Sequence, residues 1–371
     1  MKAMRLAVAV VAVMGCGVAA AQGIQTKSDG GLKPELRGVI AMGVPRFNVR
    51  GGVPTNVADY AALPAGVDAV IINVTWAQLE PEPGKYDLSA VEQALAAIRK
   101  HNAEHKENPW PTRLRVFAGQ NVAPWVLKEF GAVQVGKKAA PADVTVARFW
   151  TPEYSVAYDK LVAMLAARYD SEPLIDEVSL TTCSSVSDEE MNVPLQGDSI
   201  ANLLKVGYTD EAYLACLKAA PAAYKAWKRT RVDYPFNEFR SISGMEGQAA
   251  GTLVKDVKIT NALMDDFRNQ FGAQATLHNH SLGANSVEVP GRAWSEPAKG
   301  LVQVYEHMAK LGPEIEFQQS GPADTNLETA VPQAVHYGAT AVEIWNANLE
   351  QAKPGQIAAW RGMLKGNGKQ D

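Results

Sequence analysis

The run AVIINVTWAQLEPEPGKYDLSAVEQALAAIRKH, Ala69 to His101, reads as one complete strand, loop and helix. Ala69–Val74 is a short apolar, β-branched stretch of the kind that is buried on both faces of a parallel sheet. Pro81, Pro83 and Gly84 then break any regular structure. Ser89-Ala90-Val91-Glu92 has the spacing of a capping box, and apolar residues at helical intervals carry a helix from Ser89 to His101.

The same unit recurs along the chain. Strands are predicted at Arg37–Met42, Ala69–Val74, Leu114–Ala118, Glu177–Thr182, Phe236–Ile242, Ala275–Asn279, Ile315–Gln319 and Ala341–Trp345. Helices are predicted at Ser89–His101, Pro152–Tyr169 (with Thr151 as N-cap and Pro152 at the first position), Asn261–Phe271, Glu296–Leu311 and Leu327–Tyr337. Eight strands alternating with helices, and no Ser/Gly/Pro-rich linker, predict one α/β domain, a (β/α)8 TIM barrel with long βα loops, over residues 22–371.

Composition narrows the partners. Of the 371 residues, 47% are apolar and 20% charged, enough for a large core. The 36 basic and 40 acidic residues leave a net charge of −4 with no Lys/Arg block, which disfavours nucleic acid and anionic membranes and points to a neutral small molecule or polymer. Lys2 and Arg5, an apolar run from Leu6 to Val18, and Ala19-Ala20-Ala21 before Gln22 form a secretory signal at 1–21, so the protein is expected to be periplasmic or secreted. Val13-Met14-Gly15-Cys16 also resembles a lipobox, which would instead leave a lipid anchor on Cys16. No later segment reaches the roughly 20 apolar residues of a membrane span. After cleavage Cys183 and Cys216 remain; an oxidising compartment permits them to pair, and the alternative is two buried small hydrophobes.

In a barrel of this kind chemistry belongs at the C-terminal ends of the strands. There the sequence offers Trp76, Asn121, Trp125, His280, Gln318, Gln319, Trp345 and Asn346. Flat rings match the C–H faces of pyranoses, and amides fix hydroxyls, so this set reads as a sugar-binding mouth. His278 and His280 are read as alternating, with His280 facing the mouth. Without a carboxylate at ligand spacing they make weak metal ligands, and no metal or cofactor is expected.

Trp76 to Asp87 resembles the loop after the second strand of clan A glycoside hydrolases, especially their β-galactosidase-like group, where a Trp leads into Glu-Pro-x-x-Gly-x-Tyr-Asp and a helix. Arg115 to Leu127, ending in Pro124-Trp125-Val126-Leu127, is similar to that group's third strand and loop, and Trp345 to its aromatic platform. The resemblance implies glycoside hydrolysis on a TIM barrel without a cofactor. It also locates two departures. The acid/base Glu of the clan follows an Asn at the end of strand four, where this chain has Thr182 and Cys183; the following Asp188-Glu189-Glu190 makes Glu189 the best match. The nucleophile position on strand seven holds Gln319.

An oxocarbenium-like transition state calls for one protonated and one ionised carboxyl, and an amide supplies neither. Glu238, Glu316, Glu343 and Asp324 are the substitutes at hand, with Glu343 preferred over Glu316 because it sits two residues below Trp345 on the same strand face. Either could equally be a buried partner of Arg or His. Tyr86 and Asp87 are read as shaping the loop. Three functions follow: a hydrolase of a β-linked galactoside or other plant or microbial glycan with Glu189 as acid, a carbohydrate-binding barrel that has lost hydrolysis, and a sugar enzyme using His280 as base.

Overall fold

The computed structural model describes residues 31–42, 63–136, 144–186, 188–283, 299–321 and 325–367. Its strands are β1 (Gly38–Ala41), β2 (Ala69–Thr75), β3 (Thr112–Phe117), β4 (Ala132–Val135), β5 (Val144–Ala147), β6 (Ile175–Ser179), β7 (Arg231–Pro235), β8 (Phe239–Ser241), β9 (Val254–Asp256), β10 (Ala275–Leu282), β11 (Ile315–Gln319) and β12 (Ala341–Ile344). Eight of them close a parallel barrel in the order β1-β12-β11-β10-β7-β6-β3-β2. This is the (β/α)8 barrel that the alternating pattern predicts. The signal segment, Cys16, Asp324 and the start of the helix expected from Glu296 lie outside the described residues.

Two local expectations are corrected. The fifth barrel strand is Arg231–Pro235; within the predicted Phe236–Ile242, Phe239–Ser241 instead pairs antiparallel with β9 as a hairpin above the barrel. Both segments mix aromatic or β-branched residues with polar and charged ones, so periodicity alone could not rank them. The capping box sits not at Ser89 but at Thr75: its hydroxyl accepts from Gln78 N–H at 3.1 Å, while Gln78 Oε1 accepts from Thr75 N–H at 2.9 Å. Ser89 already lies inside helix Ser89–Glu104, its amide bonded to Asp87 Oδ1 at 2.9 Å. Asp87 thus shapes the loop as expected. Helix Pro152–Tyr169 has the predicted bounds and Pro152 in its first turn, but Thr151 makes no side-chain cap and bonds back to Arg148 O. β4 and β5, absent from the predicted strands, pair antiparallel.

The barrel interior is layered. At the N-terminal end Leu36, Ile40, Ala69, Ile71 and Ala341 form a small apolar plug. Above it the layer is ionic. Arg113, fully buried, reaches Glu177 at 2.7 Å, Glu343 at 3.2 Å, Asp233 at 3.5 Å and also Glu316. Arg113 and Arg115 alternate along β3, so both point inward, and Arg115 spans to Glu343 and to Asp188, the latter at 2.9 Å. Burial opposes the charge on Arg113, yet Asp233, Glu177, Glu316 and Glu343 together hold its pKa well above normal. Asp233 is pulled far below the usual carboxylate range by Arg113 and His278, against its own burial. Glu316 is driven the other way, first by burial and then by Glu177 and Asp233, with Arg113 opposing the rise. Within one layer, burial and neighbouring charges thus move two carboxyls in opposite directions.

Cys183 and Cys216 are disulfide-bonded, tying the end of the fourth barrel strand to helix Asp210–Ala219. Both readings of these residues meet here, because the bridge is also buried.

Replacing Arg113 by Met is expected to cost about 3–5 kcal/mol, because it strands buried carboxylates rather than removing them; urea unfolding at pH 7 measures it. Reducing the disulfide, which closes a 33-residue separation, is expected to cost about 3–4 kcal/mol by loop-closure entropy. Thermal unfolding with and without a reductant checks this.

Candidate functional site

The segment after β6, Leu180 to Val193, carries the acidic residues to the barrel mouth, and many short-range bonds hold it. The disulfide pins Cys183; Ser184 Oγ donates to Thr181 O at 2.8 Å and Ser185 Oγ to Asn192 O at 2.9 Å. Against its outer side lies Gly119, at φ +55°, where any Cβ would collide with the Ser185 carbonyl; Gln120 N–H donates to that same oxygen at 2.8 Å.

This frame turns Asp188 and Glu189 toward His280. Nδ1 of His280 lies 3.8 Å from Asp188 Oδ2 and 3.9 Å from Glu189 Oε1, so those two oxygens are at most about 7.7 Å apart, the sum of the two distances. Asp188 is nearly buried on Arg115, whereas the Glu189 side chain is 25% exposed and accepts a hydrogen bond from Asn192 Nδ2. Burial, reinforced by Asp188 and opposed by Arg240, raises the pKa of Glu189 to about 7. Burial also raises that of Asp188, and Arg115 works against the rise by favouring its ionised form. The two adjacent carboxyls therefore differ in environment: one pairs with a guanidinium, the other faces the mouth with a proton close at hand.

His278 and His280 do not alternate. Two residues apart on one strand, they share a face; both point inward with rings 4.5 Å apart, and Asn279 between them points out to Phe236 O. His278 Nδ1 meets Asp233 Oδ1 at 2.8 Å. Burial, His278 and Arg115 hold the pKa of His280 well below normal, so its ring is neutral and a weak base.

The other expected site residues do not share one role. Glu316 and Glu343 are 2% and 0% exposed and committed to Arg113 and Arg115, so the carboxylate sought on strands seven and eight is not presented to the mouth by either. Gln319 is fully buried and works as a brace: Oε1 accepts from Trp345 N–H at 3.1 Å, and Nε2 donates to Gly321 O at 3.3 Å. Gln318 lies beside Arg115 at 3.5 Å. Trp345 and Asn346, half-buried, follow β12, with the Trp345 indole N–H on Gln319 O at 3.0 Å.

Trp76 is a correction. It is 0% exposed, wedged among Trp125, Tyr154 and Tyr158 with ring centroids 5.0–5.8 Å away, and its indole donates to Glu80 Oε2 at 2.8 Å. Glu80 also takes Gly84 N–H at 2.7 Å and, through its carbonyl, Trp125 Nε1–H at 2.9 Å. The Trp-to-Asp stretch is thus a self-bonded loop whose tryptophan is its core. Trp76 and Trp345 do not form facing walls of one hollow. Asn121 and Trp125 remain half-buried at the rim after β3, and Glu238 pairs with Lys255 on the hairpin.

Residues that sequence reading passed over complete the site. Asn73 is the register neighbour of Arg115 and shares its inward face. Asn73 Oδ1, Arg115 Nε, His278 Nε2, both ring nitrogens of His280 and, at the rim, Asn346 Oδ1 are buried and make no hydrogen bond with any described residue. Buried polar atoms in native proteins are nearly always satisfied, so donors and acceptors gathered at one end of a barrel require polar partners from a ligand or water. The alternation Thr112-Arg-Leu-Arg along β3 was the available signal. Among the described residues no group of three or more His, Cys, Asp or Glu is arranged to hold a metal ion.

Comparison with known proteins gives no matching family model and no matching curated protein. Solved structures of similar shape exist. Endo-glycoceramidase II from Rhodococcus sp. is 16% identical, with 78% of this chain and 75% of that one covered and a TM-score of 0.40. An endo-β-1,4-glucanase from Xanthomonas axonopodis pv. citri carrying a triple mutation is 13% identical, with 90% and 99% covered and a TM-score of 0.48. A β-galactosidase from the psychrophilic Marinomonas ef1 is 12% identical over 83% of this chain and 53% of its own, with a TM-score of 0.44.

Trp76→Ala is expected to cost about 3–5 kcal/mol of stability, as a large buried ring does. Trp345→Ala should leave the unfolding midpoint near that of the parent and weaken binding of oligosaccharides in calorimetry.

Proposed function

We propose that this barrel is a glycoside hydrolase acting on a neutral β-linked glycan, a galactoside or another plant or microbial polysaccharide fragment, with Glu189 as proton donor. The observation that carries the reading is the pair Asp188 and Glu189. One carboxyl is paired with Arg115, which opposes the upward push of burial on its pKa, and the other is poised near pH 7 at the open side of a buried polar floor. Their oxygens lie no more than about 7.7 Å apart, which does not exceed the separation of up to about 9.5 Å found in inverting two-carboxylate glycosidases. Asp188 takes the ionised role expected of strand seven or eight. Sugar hydroxyls both donate and accept, which suits the mixed set of Asn73, Arg115 and His280 below. Trp345, partly exposed at the rim, is the ring available to stack on a pyranose. The proposal needs no cofactor and extends to an exported protein, processed after Ala21 or anchored at Cys16.

In the proposed step a sugar lies over His280 with its glycosidic oxygen at Glu189. Glu189 gives that oxygen its proton as the bond to the anomeric carbon lengthens, and Asp188 draws a proton from the attacking water. His280, neutral, orients hydroxyls and is too weak a base to compete. This disfavours the sugar enzyme built on a histidine base.

A second reading, a carbohydrate-binding barrel without hydrolysis, is favoured by Gln319, whose amide is bonded at both ends where the resembling clan has a carboxylate. Turnover of aryl glycosides and oligosaccharides, run beside calorimetry on the same sugars, separates the two. Glu189→Gln is expected to lower kcat by about 10²–10⁴ with binding kept. Because Glu189 must be protonated to act, activity is expected to fall as pH rises through about 7. Heat of binding with no product at any pH would establish the second reading.

A further inference from the structure

Glu190 follows the proposed acid directly and has no part in the site above, yet it is the most enclosed carboxyl of its loop. It is 0% exposed. Oε1 accepts the Cys183 N–H at 2.8 Å, closing the loop back on the residue whose sulfur carries the disulfide. Oε2 is buried and makes no hydrogen bond with any described residue. Four elements send phenols whose hydroxyls interact electrostatically with this carboxyl: Tyr154 of helix Pro152–Tyr169, Tyr213 of helix Asp210–Ala219, Tyr224 of helix Pro221–Tyr224, and Tyr234 of β7. All four are buried. On its own loop its acidic neighbours are Asp188 and Glu189, and the nearby Arg240 of β8 acts on Glu189 and Tyr213 rather than on it. Among the described residues no Lys, Arg or His pairs with Glu190.

A carboxyl in such a pocket is stable only as the neutral acid, since ionisation would bury a charge against phenols with one amide for support. We infer that Glu190 is a proton-held clasp: as a neutral acid it closes the loop that presents Glu189, and on ionisation it must leave its pocket, releasing that loop from the mouth. It is a positioning residue, and its functional meaning rests on the reading of Glu189 as proton donor. The chemistry is a single proton passing from the Glu190 carboxyl to solvent base, with no bond to carbon or sulfur changed. Burial lifts its pKa from 4.5 to about 8, against the Cys183 amide, so the clasp operates just above neutrality.

The sign follows from linkage. Between pH about 4.5 and 8 the folded chain holds a proton on Glu190 that the unfolded chain has lost, so this residue makes the protein progressively less stable as pH rises across that window. Glu190→Gln keeps an oxygen for the Cys183 amide and has no proton to lose. The unfolding equilibria of the parent and E190Q, measured by urea denaturation from pH 5 to pH 8.5, should diverge by about tenfold per pH unit in favour of E190Q and level off near 8. Hydrogen exchange at the Cys183 amide should accelerate above pH 8 in the parent beyond the intrinsic base-catalysed rise, and not in E190Q. Glu190→Leu, which offers no acceptor, should show fast exchange there at every pH.

Parallel stability curves for parent and E190Q, or equal Cys183 exchange in all three proteins, would overturn the clasp. Neither readout involves turnover. If E189Q keeps full activity while the curves diverge, the hydrolase reading fails and the clasp stands.

Discussion

Charge buried inside the barrel governs most of what lies above it. Two arginines from alternate positions of β3 occupy an interior that barrels commonly fill with branched aliphatic side chains, and each must be matched by carboxylates from other strands. Glu177, Asp233, Glu316 and Glu343 converge on Arg113 from four strands, so the layer registers the barrel wall as well as neutralising it. What is left of Arg115 after Glu343 extends upward to Asp188. The loop after β6 is thereby tied electrostatically to the floor it covers.

From that constraint the character of the mouth follows. Burial raises the pKa of Asp188 while the arginine below opposes the rise, and burial, reinforced by Asp188, makes Glu189 reluctant to ionise. Two neighbouring carboxyls thus sit in different electrostatic surroundings, Asp188 against Arg115 and Glu189 nearer Arg240. His280 sits between them, within 4 Å of both, and burial first, then the adjacent ring of His278 and the positive charge of Arg115, oppose its protonation.

The covalent and backbone framework around the loop works in the same direction. The disulfide, the Glu190–Cys183 hydrogen bond and the Gly119–Ser185 contact lie within a few residues of each other. They limit how far Asp188 and Glu189 can move relative to β10. A loop carrying catalytic groups gains precision when its conformation is held by groups outside the reaction.

How much of this was legible in the chain depends on the range of the interactions. Alternating strand and helix patterns and the bounds of helix Pro152–Tyr169 are set by neighbours within a turn or two, and local periodicity therefore determined the barrel. Glu189, in the loop after the fourth barrel strand, and His280, near the C-terminal end of β10, could be read as candidates from their places along the chain. Local pattern could not decide which of two similar segments, Arg231–Pro235 or Phe236–Ile242, would join the barrel, because that choice is made by pairing with β6 and β10. Nor could it show that Trp76 is a core ring, that Gln319 braces Trp345, or that Glu316 and Glu343 serve arginines. Those roles are assigned by contacts across as many as 230 residues of chain, and only closure of the barrel brings the partners within reach.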